Sequence, residues 1–370
     1  MLTELRLTSF RNISASAISP ASGVNLIVGE NGSGKTSLLE AVYLLAMGRS
    51  FRSRNLKHLI QHGYEYCQVF GRIDRAIPLG VQLGGTAGVK IRLNNAPLKK
   101  LSELVLHLPL QYIPANCHQF FEQGPKFRRK VVDWGLFHVE QDFLFHWQNY
   151  RKVLQQRNAA LRSKKSHKEV SLWDRQLISY GLRLTQYREA YLKEVLQLFQ
   201  YWFAQICNDY KSADFELRYM PGWPKNTELS AALQNNIDRD RMLGYSRNGP
   251  HAADWSIKID GADPAELLSR GQQKLFYLAI SFAQLSLLTK KKRQQKSILL
   301  IDDISSELDT SHQQLVLSAI KDINIQTFIT TTADDLLSLL AVQGDDAVFH
   351  VKQGEVTARH QSVLSTSSDT

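Results

Sequence analysis

From Met1 to Phe10 apolar and polar side chains alternate, with Glu4 and Arg6 set between apolar neighbours, and a period of two predicts a half-buried strand. Strands and hairpins are expected through residues 2–92, with Asn94 and Asn95 as a turn. One helix interrupts them: the apolar stretch 24–28 is followed by a helix-like run at 37–47. A short helix near 98–106 and a strand at 109–113 come next. Helical spacing then dominates 126–241, broken around 215–223. A strand at 254–259 precedes a long apolar helix at 271–288, the β-prone run 298–301, a helix at 311–322 and strands near Gln326 and Phe349. The chain is thus expected to leave an α/β lobe and re-enter it. Residues 1–125 with 245–360 form one discontinuous lobe, 126–244 an inserted, mainly helical second lobe, and Ser/Thr-rich 361–370 a disordered tail.

Between the first fully apolar strand and its helix lies Gly29-Glu30-Asn31-Gly32-Ser33-Gly34-Lys35-Thr36, which fits G-x-x-x-x-G-K-[ST] in the strand, loop, helix context the pattern requires. Glycines at 29, 32 and 34 are expected to take positive φ and turn backbone N–H groups onto phosphates at the positive end of the helix. Lys35 is expected to reach the outer phosphates and Thr36 to offer a hydroxyl to Mg2+, with Ser37 in the same nucleotide-binding turn. Far downstream the run 298–301 ends in Asp302 and Asp303. A carboxylate at the carboxyl end of a buried parallel strand can hold the metal through water, the role expected of Asp302. Asp303 is placed to orient or deprotonate an attacking water, and also reads as a solvated acid after a strand.

The long apolar helix opens with Ser269, Arg270, Gly271, Gln272 and Lys274, and Ser269 lies 33 residues before Asp302. Exposed N–H groups and a Ser hydroxyl at a helix start suit a phosphate, yet a chain holding ATP in its own loop has no second phosphate to offer that corner. The expected ligand is the γ-phosphate held by another subunit. Here the chain resembles the ABC-type ATPases, Ser269 to Lys274 standing for their signature and Ser306 and Asp309, in Ser306-Glu307-Leu308-Asp309, for their D-loop. The fold class implied is an α/β P-loop ABC-type ATPase head, a mixed sheet with flanking helices. The resemblance also implies an ATP-dependent, head-to-tail homodimer of closed twofold symmetry, with two ATPs between protomers.

Charge changes the picture further. The 370 residues carry a formal net charge of +10, which favours a polyanionic partner. Residues 151–200 hold eleven Lys or Arg against four acids, and their apolar positions recur at three- and four-residue steps, as in two amphipathic helices meeting near 166–170. Taken alone, that segment fits solvated helices and DNA contact equally. The 233 residues from Thr36 to Ser269 favour DNA, because they exceed the spacing expected of a transporter subunit and put a basic arm where a membrane-coupling subdomain would lie. Arg52, Arg54 and Lys57 after the first helix, and Lys290, Lys291 and Lys292 in a basic loop before the acidic strand, are candidate DNA-backbone contacts; such a loop fits simple solvation as well. No apolar run reaches ~18 residues and no signal peptide is apparent, so a cytoplasmic protein without a membrane partner is expected. Cys67, Cys117 and Cys207 lack C-x-x-C spacing and are expected to be reduced thiols, and His58 and His62 to be solvated.

Finer matches resemble the RecF family of bacterial recombinational repair proteins over essentially the whole length. They are Phe10-Arg11-Asn12, Gly48-Arg49-Ser50-Phe51-Arg52, Gly124-Pro125 leading to Arg128-Arg129, Gln156-Arg157-Asn158-Ala159-Ala160-Leu161, Gly249-Pro250-His251 and Leu268-Ser269-Arg270-Gly271-Gln272. The resemblance implies ATP-dependent binding of single-stranded, gapped and duplex DNA with weak hydrolysis. It implies cooperation with RecR and RecO to place RecA on gapped DNA, and so roles in replication restart and the SOS response. Two departures stand out. Pro114-Ala115-Asn116 lacks an expected acid, and Thr330, Thr331 and Thr332 stand where transporter ATPases carry a switch histidine. With Asp303 in place of the longer Glu, slow turnover is expected. A transporter ATPase subunit and a non-hydrolysing ABC-type clamp are the alternative readings.

Overall fold

The computed structural model describes residues 1–85, 88–292, 296–332, 336 and 344–358. The tail expected at 361–370 lies outside them. The chain opens with β1 (Leu2–Phe10), β2 (Ile13–Ile18), β3 (Val24–Val28), α1 (Lys35–Met47), β4 (Tyr66–Ile73), β5 (Ile77–Gly84), β6 (Val89–Leu93), β7 (Ala96–Pro97), α2 (Leu101–His107) and β8 (Leu110–Ile113). It continues through α3 (Gln119–Glu122), α4 (Pro125–Val139), α5 (Phe143–Arg162), α6 (His167–Ser171), α7 (Asp174–Ile206), β9 (Phe215–Met220), α8 (Leu229–Asn235), α9 (Ile237–Leu243), β10 (Asp254–Ile259), α10 (Pro264–Leu267) and α11 (Arg270–Lys291). It ends with β11 (Ile298–Ile301), α12 (Thr310–Ile323), β12 (Gln326–Thr331), β13 (Ala347–Lys352) and β14 (Glu355–Ala358).

Two compact units result: Met1–Ala115 with Gln295–Thr370, and Asn116–Gln294. The chain does leave and re-enter one unit, but not at 125 and 245 as expected. Strand β10 pairs with β9 throughout, and α11 packs along α7, so the segment carrying Ser269 belongs to the inserted unit. Two sheets build the first unit. One is antiparallel, in the order β2-β1-β4-β5-β6-β7. The other runs β14-β13-β3-β12-β11-β8, parallel except for the edge strand β14. Their sequences explain the difference. Every residue of β3, β11 and β12 is buried, as strands covered on both faces require, whereas β4 and β5 alternate buried and open positions. Asn94 and Asn95 take φ of 51° and 64°, the left-handed pair that a tight hairpin between β6 and β7 demands.

Helix α1 sits in the core of this unit, with Leu38, Val42 and Leu45 fully buried in the same cluster as Leu5, Leu300 and Phe328. Truncating one such leucine to alanine costs about 2–5 kcal/mol. The second unit centres on α7, whose 33 residues are packed by α5 and α11. The predicted junction near 166–170 forms its own short helix, because Ser166 and Glu169 make a capping box. Phe199, Phe203 and Phe276 meet ring to ring in the interior. Among the described residues, no helix is long and apolar enough to cross a membrane.

A candidate nucleotide site and an exposed helix corner

Parallel strands β3, β11 and β12 end on the same side of their sheet, and a cavity of about 590 Å3 opens there, bordered by Gly32, Lys35, Thr36, Asp302, Asp303 and Thr330. The carboxyl edge of a parallel sheet is where such folds bind ligands. The Gly-rich loop wraps the start of α1, where Gly34 at the N-cap gives no side-chain cap and the first turn holds no acid. The orphan N–H groups of that turn are therefore left for an anion. Gly32 and Gly34 have φ of 79° and 123°, as expected. Gly29 does not take positive φ; a Cβ there would sit 2.2 Å from Val351 O, so this glycine serves close approach to β13.

Lys35 Nζ donates to Gly29 O at 2.7 Å and Glu30 O at 2.8 Å, which holds the ammonium inside the loop. Burial lowers its pKa from the ordinary lysine value, against the upward pull of Asp303 and Asp302. Thr36 Oγ1 donates to Asp302 Oδ1 at 3.0 Å, and Thr330 Oγ1 donates to the same oxygen at 2.8 Å. A hydroxyl and a carboxylate so paired are the oxygen donors that Mg2+ accepts alongside phosphate oxygens, and Ser33 Oγ is buried without a hydrogen-bond partner in the same loop. The residues present thus fit a nucleotide with Mg2+. Asp303 lies at φ 49°; its N–H donates to Thr330 Oγ1 at 2.8 Å and its Oδ1 accepts from Ser305 Oγ at 2.8 Å. One threonine hydroxyl thereby couples the two acids.

Two positions quoted only for their family likeness prove to be structural parts of the site. Asn12 Nδ2 donates to Ser33 O at 3.0 Å while its Oδ1 accepts from Ser37 Oγ at 2.9 Å, clamping the loop from both ends. Arg11 forks onto buried Glu40 of α1 at 2.8 and 2.9 Å and donates to His58 O at 2.9 Å. Thr330 carried a signal in the sequence, since it lies one residue before the end of a strand parallel to the acidic one. Asn12 was marked by family likeness alone, and its role was not readable because its partners are 21 and 25 residues away.

The second unit holds the Ser269 corner by itself. Ser269 caps α11: its Oγ accepts from Gln272 N at 3.3 Å, and its own N–H donates to Gln272 Oε1 at 3.0 Å. That leaves the serine O–H and the N–H groups of Arg270 and Gly271 for an external acceptor, and both Ser269 and Arg270 are exposed. Gln272 also donates to Asp209 Oδ2 at 3.0 Å. Lys274 departs from expectation. It lies one turn further on, on the inner face of α11, fully buried, so it cannot meet a ligand arriving at the corner.

Asp309 N-caps α12, accepting from His312 N at 2.8 Å, and that bond above all draws its pKa down to about 2. Ser306 N donates to Asp303 Oδ1 at 3.3 Å, which ties the predicted D-loop to the second acid. Arg52 borders the same cavity, while Arg54 and Lys57 are exposed nearby in sequence. Lys290 and Lys291 are not in a loop; they form the last turn of α11, and Lys291 Nζ pairs with Glu194 at 2.8 Å. The surplus of 151–200 is smaller at the surface than in the sequence, since Arg157 and Arg188 are buried against carboxylates. All three cysteines are free and buried.

Residues 1–357 match the family described as the RecF/RecN/SMC N terminal domain. The DNA replication and repair protein RecF of Pseudoalteromonas translucida (strain TAC 125) is 38% identical over 366 residues, 97% of this chain and 100% of that protein. A solved structure of the recombination mediator protein RecF-ATP in the RecFOR pathway is 28% identical, with a TM-score of 0.82 and 97% of each chain covered. A crystal structure of an Smc head bound to the C-winged helix domain of ScpA shares the fold alone, at 18% identity and a TM-score of 0.57 over 97% of each chain. With the ABC-type ATPase head fold in place and kinship running the length of the chain, this protein belongs to the RecF family.

Proposed function

We propose that the protein is an ATP-gated DNA-binding protein of recombinational repair and replication restart, acting in the cytoplasm. The observation that carries this reading is the Thr36 hydroxyl set 3.0 Å from the Asp302 carboxylate at the foot of an uncapped helix. The Gly-rich loop would hold the phosphates of ATP, with Lys35 toward the outer ones, and Thr36 and Asp302 would hold Mg2+, which would neutralise phosphate charge. Asp303 orients the attacking water, and its engagement with Ser305 and Ser306 makes turnover slow. The Ser269 corner of a second copy closes on the γ-phosphate, so ATP acts as dimer glue and hydrolysis as the release step. The ATP-bound homodimer binds single-stranded and gapped DNA, contacts the backbone through cations such as Arg54 and Lys57, and works with RecR and RecO to load RecA, in support of the SOS response. Kinship with RecF proteins of DNA replication and repair supports this assignment.

Sedimentation of the purified chain with ATP, ADP or no nucleotide, with and without gapped DNA, tests it. A dimer is expected with ATP alone, and co-sedimentation with DNA strongest in that state. The Ser269→Ala variant should bind ATP yet remain monomeric. A mass unchanged by nucleotide, or DNA binding indifferent to it, overturns the reading.

A further inference from the structure

A second cavity, of about 460 Å3, opens in the inserted unit between the β9 exit and the loop before β10. Its size lies within the ~300–1,000 Å3 range of small-molecule sites. Met220, Pro221 and Trp223 supply apolar lining, and Arg247, Asn248 and Lys225 supply polar and charged lining. Among the described residues that line it, none is acidic. Met220 is 48% exposed.

The walls are fixed before any ligand arrives. Gly249 N donates to Gly222 O at 3.1 Å, and a Cβ on Gly222 would fall 2.2 Å from Gly249 O, so the two loops touch backbone to backbone. Beneath them Arg157 Nη1 donates to Asp240 Oδ2 at 2.8 Å and to Ser246 Oγ at 2.7 Å, and Asn158 Oδ1 accepts from Ser246 N at 2.8 Å. Arg247 N donates to Asp240 Oδ1 at 3.1 Å, which anchors its backbone while its side chain is left exposed. Asn248 Nδ2 is held by Ala232 O at 3.1 Å, leaving Oδ1 to accept from a ligand. The motifs around Arg157 and Gly249, which the nucleotide site does not use, thus have a shared role in shaping this cavity.

We propose that this cavity takes one unstacked nucleotide of single-stranded DNA, the base on Trp223 and Met220 and the flanking phosphates on Arg247 and Lys225. The chemistry selects the occupant. A π-face beside two cations without a carboxylate suits an aromatic ring that carries its own anion, and a paired duplex keeps its bases from such a surface. The proposal rests on the DNA-binding reading above and assigns it a strand-selective contact.

The test uses the full chain with labelled oligo-dT and with a blunt hairpin duplex, read by fluorescence anisotropy. Trp223→Ala should weaken oligo-dT binding by about 5- to 100-fold while duplex and ATP affinities hold, and Trp223→Phe should recover most of the loss. Arg247→Glu should weaken the same strand without touching a stacking surface, and serves if the alanine variant does not fold. Oligo-dT carrying 5-iododeoxyuridine should crosslink on irradiation to the peptide holding Trp223. Unchanged oligo-dT affinity in Trp223→Ala and Arg247→Glu, or crosslinks only elsewhere, overturns the pocket and leaves the DNA-binding reading intact. So does a proline-rich peptide that binds the cavity while oligo-dT does not compete. A wild-type chain that binds neither DNA overturns both.

Discussion

Lys35 and Arg157 are both cations withdrawn from water, one in each unit, and their neighbours differ in kind. The Lys35 ammonium is held by two backbone carbonyls, with Asp302 and Asp303 acting on it without a direct ion pair, and a cavity lies beside it. Arg157 donates to Asp174 at 2.8 Å as well as to Asp240 and Ser246, and is wholly enclosed. Arg188 with Asp133 and Arg128 with Asp254 repeat the closed arrangement. A buried cation with capacity toward open space is therefore a candidate ligand site, whereas one that carboxylates close around is part of the architecture.

The contrast can be broken most directly at Arg157. Replacing it with alanine strands Asp240 in the interior and should cost about 3–5 kcal/mol, read by urea unfolding, while the folded fraction keeps its ATP affinity. An unaltered unfolding midpoint would mean the closed pairs are not structural. Next is His138, whose pKa burial holds down to about 4 from an ordinary 6.5. Its folded value is the lower one, so the unfolded chain binds the extra proton and stability should fall as pH drops from 6.5 to 4, by up to ~3 kcal/mol. The His138→Leu variant should lose that slope in pH-dependent unfolding.

Lys35→Ala should move the opposite way. Calorimetric titration should show ATP binding weakened roughly 10- to 100-fold, since a bond to a charged phosphate is removed, while unfolding shows stability held or raised because a desolvated cation is gone. The smallest effect belongs to Asp309. Its cap on α12 is worth about 1 kcal/mol, so Asp309→Ala should be destabilised by that much near neutral pH. Because the folded pKa of about 2 lies below the ordinary 3.8, the difference should be full above 3.8 and vanish as pH falls to about 2.

The strand, loop and helix around Lys35 were legible because each depends on neighbours within a few residues: β3 and β11 occupy the predicted apolar stretches, and α1 begins two residues before its predicted start. Helix caps were legible for the same reason, Ser269 with Gln272 being three residues apart. Lys274 was misjudged because motif spacing says nothing of which face of a helix is covered, and α11 is covered on the face where Lys274 points. The unit boundary was misplaced because it depends on α11 choosing α7 as its neighbour, a contact between distant segments.

Local structure, then, was settled by the amino-acid order alone: a Gly-rich turn between strand and helix, an acidic strand end, capped helices and a chain that leaves its first lobe and returns. Tertiary structure decided what those parts do with one another. It set Asp302 against Thr36 across 266 positions, made Thr330 the link between two acids, and enclosed Arg157 while leaving Lys35 beside open space. The physical reason is range: backbone propensity and capping act over one turn, whereas burial, pairing and dielectric are properties of whatever the folded chain brings near.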